Sequence, residues 1–249
     1  MHRVYMLNDA HLFPSAKQAS REGLLAVGGD LHPSRVLKAY AQGIFPWYSE
    51  GDPIMWWSPD PRMIVIPKEF QPSKSLRKLM RSGIYEVLFD RDFKEVMNSC
   101  AYTRRKGQDG TWITHDYRQA FTLLHEAGLA HSVEVYRDHQ LTGGLYGLSL
   151  GKVFFGESMF HLEANTSKIA FAALVDFMLE HEMSLIDAQQ ETDHLKNLGG
   201  FAVDRSFFLE FLREALGYPT LTGNWGNSDA KPVYINPDKI FEHIVHERS

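Results

Sequence analysis

The chain has 249 residues, 44% hydrophobic and 23% charged, with a net charge of -5; this is the composition of an ordinary soluble globular protein. That balance excludes a protein coated in basic surface, though a local cationic patch could still meet nucleic acid. The single cysteine, Cys100, cannot close an internal disulfide, no stretch approaches the roughly 18 apolar residues of a membrane span, and the first residues lack the apolar core of a signal peptide, so a soluble cytoplasmic protein is expected.

The first sixty residues are rich in Gly, Pro and Trp, as in Gly28-Gly29-Asp30-Leu31, Gly43-Ile44-Phe45-Pro46-Trp47 and Trp56-Trp57-Ser58-Pro59-Asp60-Pro61-Arg62. Ser34 is placed to cap a short helix through Tyr40 that Gly43 ends. Pro53, Pro59 and Pro61 forbid long regular elements there. Met63 to Pro67 reads as a strand, and a domain boundary is set near residue 62. Ser73 caps a helix to Arg81, Tyr85 to Phe89 is a strand, and Phe93 to Cys100 is a helix. Thr114 caps a further helix with Tyr117, Phe121 and Leu124 on one face, closed by Gly128. His131 to Tyr136 alternates as a strand, Asp138-His139 turns the chain, and Thr142 to Gly147 and Lys152 to Met159 follow as antiparallel strands. Ser167 to Leu179 is a nearly all-apolar, buried helix. Leu185 to Gln189 is a strand, and Arg205 to Leu216 is an amphipathic helix. From about residue 220 the tail reads as irregular, with a strand expected at 233–235.

This order predicts an α+β fold. A small loop-rich N-terminal domain (1–62) precedes an N-acyltransferase-like (GNAT-like) mixed sheet with helices on both faces (63–217) and a tail (218–249) of open role. An acyl-coenzyme A signature is missing: Gln140-x-x-Gly143-Gly144-Leu145 has Leu where the motif needs a small residue, and it precedes a strand. The acyl donor is therefore expected to be something else.

Among chemistry-bearing residues, Glu157 stands out in Phe155-Gly156-Glu157-Ser158-Met159-Phe160. An unpaired carboxylate in an apolar strand end costs several kcal/mol unless a cation or hydrogen bonds meet it. A cationic substrate group and an internal Arg or Lys are equally good partners on this segment alone. Asp187 and Gln189 stand two apart on a strand and so share a face, as a polar site or a strand-end hydrogen-bond pair. Lys74, Arg77, Lys78 and Arg81 form a cationic stripe with no intervening carboxylate, which suits phosphates or a solvated helix face. Trp47, Trp56, Trp57 and Trp112 can stack a base or fill the core. A metal is not expected: His125-Glu126 lacks a second His in register, and His243 and His246 lie on the polar tail. Gly156 to Phe160 fails as a serine-hydrolase elbow, and Cys100 reads as a buried structural cysteine.

Together these motifs, with Gly110-Thr111-Trp112-Ile113-Thr114 and Ile186-Asp187-Ala188-Gln189, closely resemble the leucyl/phenylalanyl-tRNA–protein transferase family, in order from about residue 10 to 216. The resemblance implies an aminoacyltransferase that takes Leu or Phe, less well Met, from aminoacyl-tRNA. It joins that residue to the α-amine of proteins beginning with Arg or Lys, which makes a degradation signal. It implies no cofactor and no metal, since an aminoacyl ester is already activated; a monomer is expected. Asp187, Gln189 and Glu157 would then form the catalytic site, the first two orienting the amine and relaying its proton. Leu145, Phe154, Met159, Leu174 and Ile186 would line the aminoacyl pocket, Trp47 and Trp112 would enclose the terminal adenosine, and the stripe would hold tRNA phosphates. A coenzyme A-dependent N-acetyltransferase and a non-catalytic tRNA-binding protein are the rival classes.

Overall fold

A computed structural model describes residues 4–8, 12–103, 111–227, 230–233 and 235. Gly110, His243, His246 and part of the strand expected at 233–235 lie outside them. The N-terminal part builds a four-stranded sheet from β1 (Tyr5–Leu7), β2 (Leu24–Gly28), β3 (Phe45–Pro46) and β4 (Met55–Trp57), in the order β1-β2-β4-β3. Between β2 and β3 lies helix α1 (Pro33–Ala41). Its cap is His32, whose Nδ1 accepts from the Ser34 N–H, and not the expected Ser34. Pro33 causes the shift, because its missing N–H and fixed φ suit the first helical position and start the helix two residues early. Gly43 ends this segment at φ +74, a left-handed conformation that glycine adopts without strain.

The second sheet has seven strands. Along the chain come β5 (Arg62–Val65), α2 (Lys74–Met80), β6 (Glu86–Phe89), α3 (Phe93–Tyr102), α4 (His115–Glu126), β7 (Ala130–Arg137), β8 (Gln140–Leu150) and β9 (Val153–His161). There follow α5 (Thr166–Glu180), β10 (Leu185–Gln189), α6 (Asp193–Lys196), β11 (Phe201–Val203) and α7 (Arg205–Ala215). The strand order is β11-β5-β10-β9-β8-β7-β6. All neighbours are antiparallel except β9 and β10, which α5 joins as a parallel crossover. Ser73 and Thr114 cap α2 and α4 as expected, accepting from Leu76 N and Tyr117 N.

Strand alternation sends side chains to two cores. Phe155, Tyr146 and Leu148 pack with α3, α4 and the N-terminal sheet, while Phe154, Leu145, Val133 and Val135 pack with α5 and α2. Helices therefore cover both faces, as the sequence order implies. Cys100 is a buried thiol. No described helix is long and apolar enough to cross a membrane.

The tail is more ordered than its composition suggests. β12 (Thr220–Thr222) pairs with β13 (Lys231–Val233), and between them Trp225 is buried. Its ring stacks on His131 at 3.7 Å and on Phe177 at 4.5 Å. The main-chain N–H of Trp225 donates to Asp90 at 2.7 Å, the carboxylate that also takes the Ser132 N–H and the His131 Nδ1–H. The segment is thus part of the core. Trp225→Ala should cost about 3–5 kcal/mol, the usual loss for a buried Trp truncation. Urea unfolding measures it, and a loss below about 1 kcal/mol would mean that the contact contributes little.

Candidate active site

The parallel strands β9 and β10 pair at Leu185 with Val153, Ile186 with Phe154 and Asp187 with Phe155, and there the pairing stops. Each strand then carries a bulge. On β9, Ser158 faces Tyr146 and Gly156 faces Gly147, so Glu157 is the extra residue. On β10, Asp187 faces Ile64 and Gln189 faces Met63, so Ala188 is extra. Bulges bend a strand and re-aim its side chains. Gly147 permits the first one, since a Cβ there would overlap the Phe155 carbonyl oxygen. The strands part, and a cavity of about 560 Å³ opens between them, α5 and the β3 segment.

Its inner wall is apolar. Leu145, Phe154, Met159, Leu174 and Ile186, the five expected pocket residues, all line it. So does Phe171, which sequence reasoning missed; its place one turn before Leu174 on α5 was the available signal. The two tryptophans lie at the same cavity. Trp47 keeps 36% of its surface exposed and meets Trp57 edge-on at 5.8 Å. Trp112 meets Tyr117 edge-on at 5.1 Å.

Glu157 sits on the cavity wall, half-buried. The internal Arg or Lys considered from sequence does not hold it, since its hydrogen bonds come from neutral groups. Tyr40 Oη donates to Oε1 at 2.8 Å, Tyr117 Oη donates to Oε2, and Gln189 Nε2 donates to Oε1 at 3.3 Å. Burial pushes the carboxyl up to about 7, against the two tyrosine hydroxyls, which favour its charged form. Burial and the facing carboxylate push both tyrosines above their ordinary value, so they remain donors. A carboxylate offers about four acceptor positions, so three donors leave one free. The tyrosines escaped sequence reading because their partner lies 117 and 40 residues away; Tyr117 reads only as one more member of an apolar helix face.

Asp187 requires a correction. It does not share a face with Gln189, because the bulge at Ala188 and the left-handed φ of +56 at Gln189 break the period of two. Gln189 lines the cavity, whereas Asp187 is absent from its lining and fully buried behind it. Arg62 holds both its oxygens, Nε to Oδ1 at 2.8 Å and Nη2 to Oδ2 at 2.6 Å. Oδ1 also accepts the Gln189 main-chain N–H at 3.0 Å. Asp187 therefore touches Gln189 and does not line the cavity. Arg62 was not singled out from sequence at all.

The cationic stripe lies apart from the cavity on α2, where Leu76 is buried against α5. Lys74, Arg77, Lys78 and Arg81 are all exposed. None of the four forms an ion pair with a described carboxylate, and Arg77 Nε donates to the Pro72 carbonyl at 2.8 Å. Among the described residues no group of three His, Cys, Asp or Glu side chains could hold a metal ion.

A family model described as leucyl/phenylalanyl-tRNA protein transferase matches residues 64–213, and a model for the N-terminal domain of that transferase matches residues 29–60. A leucyl/phenylalanyl-tRNA–protein transferase of Desulfatibacillum aliphaticivorans is 53% identical over 222 residues, covering 89% of this chain and 95% of that one. Its counterpart in Myxococcus xanthus is 50% identical over 224 residues, covering 89% and 96%. Among solved structures, a ribosomal-protein-alanine N-acetyltransferase of Brucella melitensis aligns at a TM-score of 0.34 and 15% identity, covering 44% of this chain and 81% of that one.

The raised carboxyl has a consequence for stability. Glu157 titrates near 7 when folded and near ~4.3 when unfolded, so between those values the folded state holds a proton that the unfolded state has lost. Its contribution is therefore greatest below about pH 4, falls as pH rises through 7 and then levels. Glu157→Gln removes this titration, and its stability relative to wild type should improve from pH 5 to pH 7 and then level in thermal melts. A difference that does not change with pH would remove the assignment.

Proposed function

The chain belongs to the leucyl/phenylalanyl-tRNA protein transferase family of aminoacyltransferases, and from that premise we propose that it moves Leu or Phe, less well Met, from aminoacyl-tRNA to the α-amine of proteins beginning with Arg or Lys, marking them for N-end-rule degradation in the cytoplasm. The observation that carries this reading is the pairing of an apolar cavity with Glu157 and Gln189 on its wall. The aminoacyl side chain occupies the end formed by Leu145, Phe154, Met159, Leu174 and Ile186, and Trp47 and Trp112 enclose the terminal adenosine. One division of labour fits this arrangement: the first 62 residues supply Tyr40 and Trp47, and residues 63–217 supply the pocket.

The chemistry follows from proton accounting. The incoming α-amine attacks the ester carbonyl, a C–N bond forms, and the bond from carbonyl carbon to ribose oxygen breaks. The amine has a pKa near ~8, so a fair fraction is neutral at neutral pH. Gln189 turns its NH2 to Glu157, which leaves its amide oxygen to accept a hydrogen from the amine and so to orient it. Glu157, poised near 7, takes the proton that the amine sheds and supplies a proton to the departing ribose oxygen. Holding amine and ester together can supply much of the acceleration, up to ~7–11 kcal/mol. A hydrophobic pocket discriminates by only about 1–3 kcal/mol per methylene, which is why Met leaks through.

Transfer of labelled Leu from tRNA to a reporter with N-terminal Arg, and not to one with N-terminal Ala, tests the reading. Gln189→Ala should lower transfer roughly 10²-fold, within the range of positioned proton transfer, while aminoacyl-tRNA affinity stays within about twofold. Equal loss of binding and activity would make Gln189 a donor contact instead.

The α2 stripe is assigned to tRNA phosphates on its exposure and its lack of carboxylate partners among the described residues. Replacing Lys74, Arg77, Lys78 and Arg81 by Ala should weaken all tRNAs alike and flatten the log–log salt slope by about 3, at roughly 0.7–0.9 per phosphate contact. Aminoacyl-adenosine, which lacks an acceptor stem, should serve both proteins equally. A wild-type slope in the variant would move the tRNA elsewhere.

A further inference from the structure

Arg62 is the charged group that joins the two halves of the site. It is 1% exposed and uses three of its guanidinium nitrogens. Nε and Nη2 grip Asp187, and Nη1 donates to the Gly43 carbonyl at 3.1 Å. Its plane lies against two rings, 4.9 Å from the Phe45 centroid and 4.5 Å from that of Phe208. Gly43 is the left-handed turn from which β3 departs, and the next residues, Phe45, Pro46 and Trp47, are the aromatic lip of the cavity. Asp187 in turn accepts the main-chain N–H of Gln189, whose side chain reaches Glu157. One guanidinium therefore fixes the lip on one side and the Gln189 amide on the other.

A purely stabilising role explains this poorly. A buried ion pair is weak evidence for stability, because desolvation offsets most of its attraction and apolar replacements often fold as well. What it supplies is geometry: a planar fork fits a carboxylate in one orientation, which a lysine ammonium cannot reproduce. The left-handed φ of Gln189 is a conformation that a non-glycine residue adopts at a cost unless its surroundings impose it. The Asp187 oxygen held by Arg62 imposes it.

We propose that Arg62 is a positioning residue for the transfer reaction, acting through Asp187 on the Gln189 amide and through Gly43 on the Phe45–Trp47 lip. It sets the distance between the donor ester and the amine that attacks it. The inference rests on the proposed transfer activity, and wild-type transfer tests that activity separately.

The test uses two variants of the full chain, assayed with aminoacyl-tRNA and an N-terminal Arg acceptor. Arg62→Lys keeps a positive charge beside Asp187 but loses the fork. The double variant Arg62→Met, Asp187→Leu removes both charges together and so leaves no orphaned ion. For each, the folded fraction comes from circular dichroism and thermal melting, and kcat is expressed per folded molecule. The positioning role predicts a fall in kcat of roughly 10- to 100-fold, since a misplacement of about 1 Å can cost 10²-fold, with the donor KM within about threefold. It also predicts that the double variant melts near wild type yet transfers no faster than Arg62→Lys. If either folded variant keeps kcat within threefold of wild type, the fork is structural only and the proposal falls. Should the double variant fail to fold, Arg62→Lys decides alone. If the wild-type chain itself transfers nothing, the proposed activity fails, and not this assignment.

Discussion

The site depends on the point at which β9 and β10 stop pairing. Parallel neighbours in the middle of a sheet normally continue their ladder, since each unpaired buried backbone group costs free energy. Here two facing bulges end it at Phe155 and Asp187. The gap opens a cavity within the sheet, beside the α5 crossover that joins the two strands. Two polar side chains stand on its rim: Glu157 is the extra residue of one strand, and Gln189 follows the extra residue of the other.

That placement sets the electrostatics. A carboxylate inside a sheet would ordinarily be neutralised by an Arg or Lys. In this site the cation goes to Asp187 instead, and Glu157 receives two tyrosine hydroxyls and an amide. Neutral donors stabilise the anion less than a cation does, so burial prevails and the group titrates near 7. The two carboxylates thereby divide into one that Arg62 grips and one that burial raises to about 7. The same logic separates the two cationic features, with Arg62 buried and fixed and the α2 stripe exposed.

Much of the framework was legible in the sequence because it rests on local rules. Caps at Ser73 and Thr114, the αL residue Gly128 and the paired left-handed Asp138 and His139 act within a few residues. The apolar pocket residues were legible through the resemblance. What escaped was non-local or broke a period. A bulge inserts one residue and reverses every facing assignment after it, so Asp187 and Gln189 part company. The Arg62–Asp187 pair spans 125 positions. His32 displaced Ser34 as a cap because Pro33 claimed the first helical position. Trp225 sits in a Gly-rich stretch that looks irregular, and its stacking on His131 is visible only once β7 is in place.

The central claim is that Glu157 exchanges the proton of the attacking amine, and the pH dependence of transfer tests it most directly. In wild type, kcat should rise through an inflection near 7, where this carboxyl titrates. Tyr117→Phe removes a hydrogen bond to the charged form, worth about 1.5–3 kcal/mol, so the inflection should move up by about one unit or more. The acceptor amine is the same in both assays and cannot produce that displacement. An inflection that stays in place in Tyr117→Phe would belong to the amine and would contradict the account.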